Sequence, residues 1–126
     1  VEQESGWRSG GGRQPRVVIV GVCGSGKSLL VEGLTRAGYD AHSVSQEHSL
    51  VPDLYARLEP DVLIYLEADD ATVASRKETG WEPRQLAEQR RRLKPARERA
   101  DIHIRTDGME PEELMRRALD ELEAAF

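Results

Sequence analysis

The stretch Val17-Val18-Ile19-Val20-Gly21-Val22-Cys23-Gly24-Ser25-Gly26-Lys27-Ser28 decides how the rest of the chain is read. Its first four residues are β-branched and uninterrupted by polar groups, the pattern of a strand buried on both faces. Gly21 to Ser28 then meets every fixed position of Gly-x-x-x-x-Gly-Lys-Ser. By residue frequency alone that pattern arises on the order of a few times per thousand chains of this length. Context carries the rest of the inference: the motif must follow a strand and open a helix. Leu30, Leu34 and Ala37 recur at helical spacing after it, and Gly38 stands where a helix stops.

Each residue type in the loop has a chemical reason. Triphosphate oxygens are dense in negative charge and need many donors at short range. Backbone N–H groups of Gly24, Ser25, Gly26 and Lys27 can converge on one phosphate because glycine permits left-handed turns. The helix starting near Lys27 adds its positive dipole end, and Leu29 just after the motif is counted with the nucleotide-binding residues. The Lys27 ammonium can follow the β- and γ-phosphates, and the Ser28 hydroxyl suits Mg²⁺, a hard ion that takes oxygen ligands. Cys23 lies inside the loop, either as a small permitted residue or as a thiol that a helix N-terminus would activate.

Outward from the loop, strands and helices alternate. Ala41 to Ser45 reads as a short second strand, Leu50 to Leu58 as a short helix, and Asp61 to Leu66 as a strong strand. Ala71 to about Lys77 reads as a helix, and Thr79 to Pro83 as a break around Trp81. Arg84 to Arg99 reads as a charged helix, with a kink expected at Pro95. Ile102 to Arg105 is a last strand, and Pro111 opens a final helix with Glu112 and Glu113 in its first turn. Alternation of this kind implies right-handed β-α-β units and an α/β fold. The expectation is a P-loop NTPase three-layer αβα sandwich on about four parallel strands. Residues 1–15, rich in Gly, Ser, Gln and Arg, read as a flexible leader before a single domain over 16–126.

The chain has 126 residues, enough for one modest core. Net charge is −5 and argues against a general pull toward nucleic acid. The apolar runs are about a quarter of a membrane span, and no signal-peptide pattern is present. Cys23 is the single cysteine, so no intrachain disulfide forms. These points lead to an expected cytoplasmic location. The charge is uneven: Arg84, Arg90, Arg91, Arg92, Lys94, Arg97 and Arg99 form a basic block in an acidic chain. That block is either a solvated helix face with pairs four apart or a holder of anionic ligands.

In open parallel sheets, ligands bind beyond the carboxyl ends of the strands. The second strand end delivers Ser45-Gln46-Glu47-His48, the third Glu67, Asp69 and Asp70, and the last Thr106, Asp107 and Gly108. Glu47 and His48 are the candidates for a general base, and Glu47 also for a contact to Mg²⁺. Glu67 either assists Mg²⁺ or, with Asp69 and Asp70, starts the next helix. Arg84, Arg91 or Arg92 can spread over the charge of a transferring phosphoryl group, and Arg76 can reach a phosphate or stack on a base.

Three segments carry a resemblance: GVCGSGKS (21–28), DVLIYLEADDATVASR (61–76) and RLKPARERADIHIRTDGMEPEEL (92–114). Together they resemble the small-molecule P-loop kinases, most closely the shikimate kinase and gluconate kinase group, in a shortened form. The resemblance implies a lid at about 76–99 and places Arg92 at the acceptor or the phosphates. It implies that Asp107, Gly108 and Met109 form the loop beside adenine, with Glu47 near Mg²⁺ and the acceptor. It therefore implies ATP and Mg²⁺ as cofactors and a small hydroxylated or anionic acceptor. The guanine-reading Asn-Lys-x-Asp pattern is absent from the sequence, which favours ATP over GTP. Residues 46–60 are shorter than the family's acceptor-binding insertion. That shortness motivates two other readings: a nucleotide-binding switch that acts on a protein partner, and a homo-oligomer whose neighbouring subunit completes the acceptor site.

Overall fold

The computed structural model of the chain describes residues 15–22, 24–76 and 82–125, with Arg76 described by its backbone alone. Four strands run β1 (Arg16–Gly21), β2 (Asp40–Ser43), β3 (Val62–Glu67) and β4 (Ile102–Arg105). They form one all-parallel sheet in the order β2-β1-β3-β4. Four α-helices join them: α1 (Lys27–Arg36), α2 (Asp70–Arg76), α3 (Pro83–Arg99) and α4 (Pro111–Ala125).

Alternate side chains of a strand point to opposite faces, and β1 uses both. Val17 and Ile19 join Leu30 and Leu34 of α1 and Leu114, Ala118 and Leu122 of α4 on one face. Val18 and Val20 join Val73 of α2 and Leu86, Leu93 and Ala96 of α3 on the other. Helices therefore flank the sheet on both sides, which explains why β1 and β3 are apolar without alternation. β4 lies at the sheet edge and alternates, with Ile102 and Ile104 buried and His103 and Arg105 exposed.

Several boundaries differ from the expected ones. The second strand is Asp40–Ser43, which starts one residue and ends two residues before the expected Ala41–Ser45. Leu50 to Leu58 is not an α-helix: turns precede a 3-10 segment at Leu54–Leu58, and a second 3-10 turn covers Gln46–His48. Pro52 stiffens this stretch, and the buried Gln46 amide organises it by donating to the Val51 carbonyl and accepting from the Tyr55 N–H. Ala37 is exposed rather than part of the buried stripe, because α1 ends at Arg36. Helix α3 runs through Pro95. It is closed at its start by a reciprocal bond between Glu82 and Gln85.

Helix α3 also bears on the expected lid. Leu86, Gln89, Leu93 and Ala96 are buried, and Arg90 donates to the Ala68 carbonyl at 2.6 Å and to Asp70. The described part of the expected lid is thus fixed to the core along one face. The remainder, residues 77–81 with Trp81, lies outside the described residues, as do residues 1–14 of the expected leader.

Beneath α3, Tyr65 is buried beside Glu67 and its ring meets His103. Burial, reinforced by the Glu67 carboxylate, pushes the phenol up to about 12. Tyr65 is therefore a neutral core residue. Among the described residues no helix is long and apolar enough to cross a membrane.

Candidate functional site

All four strands point the same way, so their carboxyl ends share one edge. The sheet order reverses at β1: the chain moves to β2 on one side and to β3 on the other. Crevices in such sheets open at that reversal, and the Gly21–Ser28 loop sits there.

Two glycines show why the loop takes this shape. A Cβ on Gly21 would stand 2.6 Å from the Leu66 carbonyl oxygen and 2.7 Å from Ser25 Oγ. Gly21 is thus the point where the loop leaves β1 with no room for a side chain. Gly26 has φ +110°, the left-handed turn from which α1 starts. Its carbonyl accepts the first helical bond, from the Leu30 N–H at 3.1 Å.

Lys27 is the centre of the site. Its Nζ donates to the Gly21 carbonyl at 2.7 Å, the Val22 carbonyl at 3.2 Å and Glu47 Oε2 at 2.9 Å. An ammonium has three N–H groups, and here all three are used. Glu47 is 3% exposed, and its second oxygen, Oε1, is buried with no hydrogen-bond partner among the described residues. A buried carboxylate oxygen in that condition is costly and calls for a donor or a cation. His48 is half exposed at the rim, with Nε2 3.8 Å from Glu47 Oε2, beyond hydrogen-bond range.

From the far side the loop is held by Thr106, the first residue after β4. Its buried hydroxyl donates to the Ser25 carbonyl at 3.0 Å. This bond spans 81 residues and fixes one peptide of the loop to the sheet. Replacing Thr106 with Val keeps the volume and removes the tie. We expect a loss of about 1 kcal/mol in stability by urea unfolding, accompanied by weaker triphosphate binding. Unchanged stability and binding in the variant would show that the tie does not shape the loop.

Around these groups lies a cavity of about 730 Å³. Its polar side has Gly24, Gly26, Lys27, Ser28, Glu47 and His48, and its apolar side has Leu29, Met109, Pro111 and Leu114. The structure therefore brings together the catalytic candidates Lys27, Glu47 and His48, the metal candidates Ser28 and Glu47, and Met109. Gly21 lies buried under the loop and contributes its carbonyl to Lys27. Asp107 and Gly108 do not line the cavity. Asp107 accepts the Asp69 N–H at 2.8 Å and pairs with Arg105 at 2.8 Å, so it joins β4 to the end of β3. Arg92 is not brought to the loop either: its Nε donates to Glu88 at 3.0 Å, and it lines a separate cleft. The Arg76 side chain and Cys23 lie outside the described residues.

The third strand end is structural. Asp69 accepts the Thr72 N–H at 2.8 Å as a helix start, and that bond, with one from the Thr72 hydroxyl, holds its carboxyl below the usual range. Glu67 lies 3.8 Å from Arg90 and lines neither the cavity nor the cleft. The sequence placed Ser45 and Thr106 at strand ends on the ligand side without a specific role and did not single out Ser43; all three line the cavity. Their signal was positional: each stands at or just past the end of a parallel strand.

Among the described residues no group of three or more His, Cys, Asp or Glu could hold a metal by itself. Ser28 and Glu47 supply two oxygen-bearing side chains to the cavity, a set that fits Mg²⁺ when ligand phosphates and water complete its shell. No protein-family model matches the chain, and a search of curated proteins finds no match.

Proposed function

We propose that this chain is a P-loop nucleotide-binding protein that holds Mg-ATP in the cavity above the Gly21–Ser28 loop. The observation that carries the reading is the convergence of Lys27, the loop backbone and the buried Glu47 at the reversal point of a parallel sheet. The loop supplies N–H groups and a helix N-terminus for phosphates. Leu29, Met109, Pro111 and Leu114 supply an apolar wall for a base. Mg²⁺, when bound through Ser28 and Glu47, supplies charge to the β- and γ-phosphates. The fold then reads as a small P-loop NTPase, a three-layer sandwich on four strands.

In this reading the protein is a compact kinase. An acceptor hydroxyl attacks the γ-phosphorus, the bond to the β-bridging oxygen breaks, and ADP leaves. The hydroxyl proton passes to Glu47 or His48, both of which line the cavity. Lys27 must first exchange one of its three partners for a phosphate oxygen. When the partner given up is Glu47 Oε2, the same movement frees that carboxylate oxygen as the phosphates arrive.

The test is calorimetry with Mg-ATP and Mg-GTP, followed by ADP release with sugars, polyols, hydroxy acids and nucleosides. Mg-ATP is expected to bind more tightly than Mg-GTP, and one acceptor class to stimulate ADP release. Tight binding without any acceptor effect would replace the kinase with a nucleotide-binding switch. Absence of binding to either nucleotide would sink the reading altogether.

A further inference from the structure

Strand β2 closes one side of the sheet, and its bonds to β1 fix which of its backbone groups are already spent. The Asp40 N–H donates to the Pro15 carbonyl at 3.3 Å, and the Val44 N–H to the Ile19 carbonyl at 3.4 Å. Successive residues of a strand turn their N–H and C=O groups to opposite sides, so Asp40, His42 and Val44 face β1. Ala41 and Ser43 therefore turn theirs outward, and among the described residues no strand or side chain meets them.

Exposed edges of this kind are ordinarily blunted by lysine, proline, a bulge or a covering segment. Asp40-Ala41-His42-Ser43 has neither lysine nor proline, and its register with β1 is unbroken. At the opposite edge, by contrast, His103 of β4 is tied to the Arg97 carbonyl of α3 at 2.8 Å, and Arg105 adds an exposed charge.

The outward groups of β2 are complementary to themselves. An antiparallel copy placed about a two-fold axis at His42 sets Ala41 opposite Ser43 of the partner subunit, and Ser43 opposite the partner's Ala41. Both are then pairs that exchange two main-chain bonds, so every outward group of Ala41 and Ser43 is used. The side chains agree with this register. Asp40 and His42 share one face of the strand, where His42 Nε2 lies 2.7 Å from Asp40 Oδ1. The two-fold axis places each Asp40 diagonally beside the partner's His42, so each imidazole gains a second carboxylate nearby.

We propose that the outer edge of β2 is a self-association surface, at which a second copy of this chain adds its own β2 antiparallel and joins the two sheets into one. The contact is isologous, the same edge being used on both subunits. It does not depend on the nucleotide reading. Ser43 also lines the phosphate cavity, so the two cavities of the dimer lie beside the join. Few main-chain bonds hold so small an interface, and the expected dissociation constant is on the order of 100 μM.

Sedimentation velocity of the full chain from about 10 to about 500 μM is expected to pass from monomer to mostly dimer. Over that range, amide exchange of Ala41 and Ser43 is expected to slow about threefold, while that of His42, whose N–H faces β1, stays constant. His42→Glu gathers four carboxylates around the axis and is expected to weaken association at least about tenfold. Its urea midpoint, measured on the dilute monomer, is expected to stay near that of wild type, because His42 is exposed. In a Cys23→Ser background, His42→Cys is expected to form a disulfide-linked dimer with oxidised glutathione, since the axis brings the two Cα atoms within about 5 Å. Ser43→Cys, whose copy lies beyond about 7 Å, is expected to stay unlinked.

The proposal is overturned by a monomer at about 500 μM, or by a dimer whose Ala41 and Ser43 amides exchange as fast as in the monomer. Equal cross-linking of the two cysteine variants, or wild-type association of His42→Glu, overturns it as well. A monomer whose two amides are slow at every concentration would also overturn it, by showing that another part of this chain already covers the edge.

Discussion

Replacing Lys27 with Ala is expected to weaken triphosphate binding severely and to destabilise the fold at the same time. The binding loss follows from a missing charge-assisted contact to the phosphates, worth up to about 3 kcal/mol or a hundredfold in affinity. The stability loss has a different origin. Glu47 is 3% exposed, Lys27 is its ion-pair partner at 2.9 Å, and its Oε1 already lacks a partner among the described residues. Removing one member of a buried pair leaves an uncompensated charge, which costs about 3–5 kcal/mol. That is a large share of the stability of a small domain, about 5–15 kcal/mol in general.

The double variant Lys27→Ala/Glu47→Ala separates the two effects. It is expected to regain most of the lost stability in urea unfolding and to keep the weakened Mg-ATP affinity by calorimetry. Should Lys27→Ala bind Mg-ATP as tightly as wild type, the loop is not the phosphate site. Should it be as stable as wild type, the ion pair does not support the fold.

The second large effect is expected at Gly21→Ala. The new Cβ would meet the Leu66 carbonyl oxygen at 2.6 Å, and Leu66 is the residue paired with Gly21 across β1 and β3. A carbonyl in a central parallel pair cannot retreat without disturbing the ladder beside it. Ser25 Oγ, at 2.7 Å, belongs to a fully buried residue and has little room to turn. Overpacking against backbone of this kind costs about 3 kcal/mol. We expect a lower unfolding midpoint with an unchanged denaturant slope, and loss of Mg-ATP binding because the loop leaves β1 at a changed angle. A wild-type midpoint would mean that β1 and β3 separate easily at this edge.

Much of the fold was legible because its signals are local. The apolar run at Val17–Val20 and the Asp61–Leu66 segment needed no partner to be read as buried strands, since only a sheet covered on both faces tolerates such runs. The α4 stripe of Leu114, Ala118 and Leu122 was equally readable, as its spacing is the helical repeat itself. Residues 46–60 were less so. There a buried side-chain amide, Gln46, takes over the hydrogen bonds that a helix would have made within its own backbone. Periodicity carries no trace of that substitution.

The candidate site divides along the same line. By itself the sequence determined the loop and the residue types proposed to meet phosphate, because Gly-x-x-x-x-Gly-Lys-Ser after a strand is a contiguous pattern with contiguous chemistry. Only the tertiary structure decided which distant groups join it. It put Glu47 on Lys27 and Thr106 on Ser25, contacts across 20 and 81 residues. It also turned Arg92 toward Glu88 and the cleft, and Asp107 toward Asp69, although both stood where the sequence pointed at the ligand. The physical reason is strand order. With β1 between β2 and β3, the end of β2 borders the loop on one side; on the other, the end of β3 is occupied by the start of α2 and by Arg90 of α3, and Thr106 at the end of β4 reaches past it to the Ser25 carbonyl.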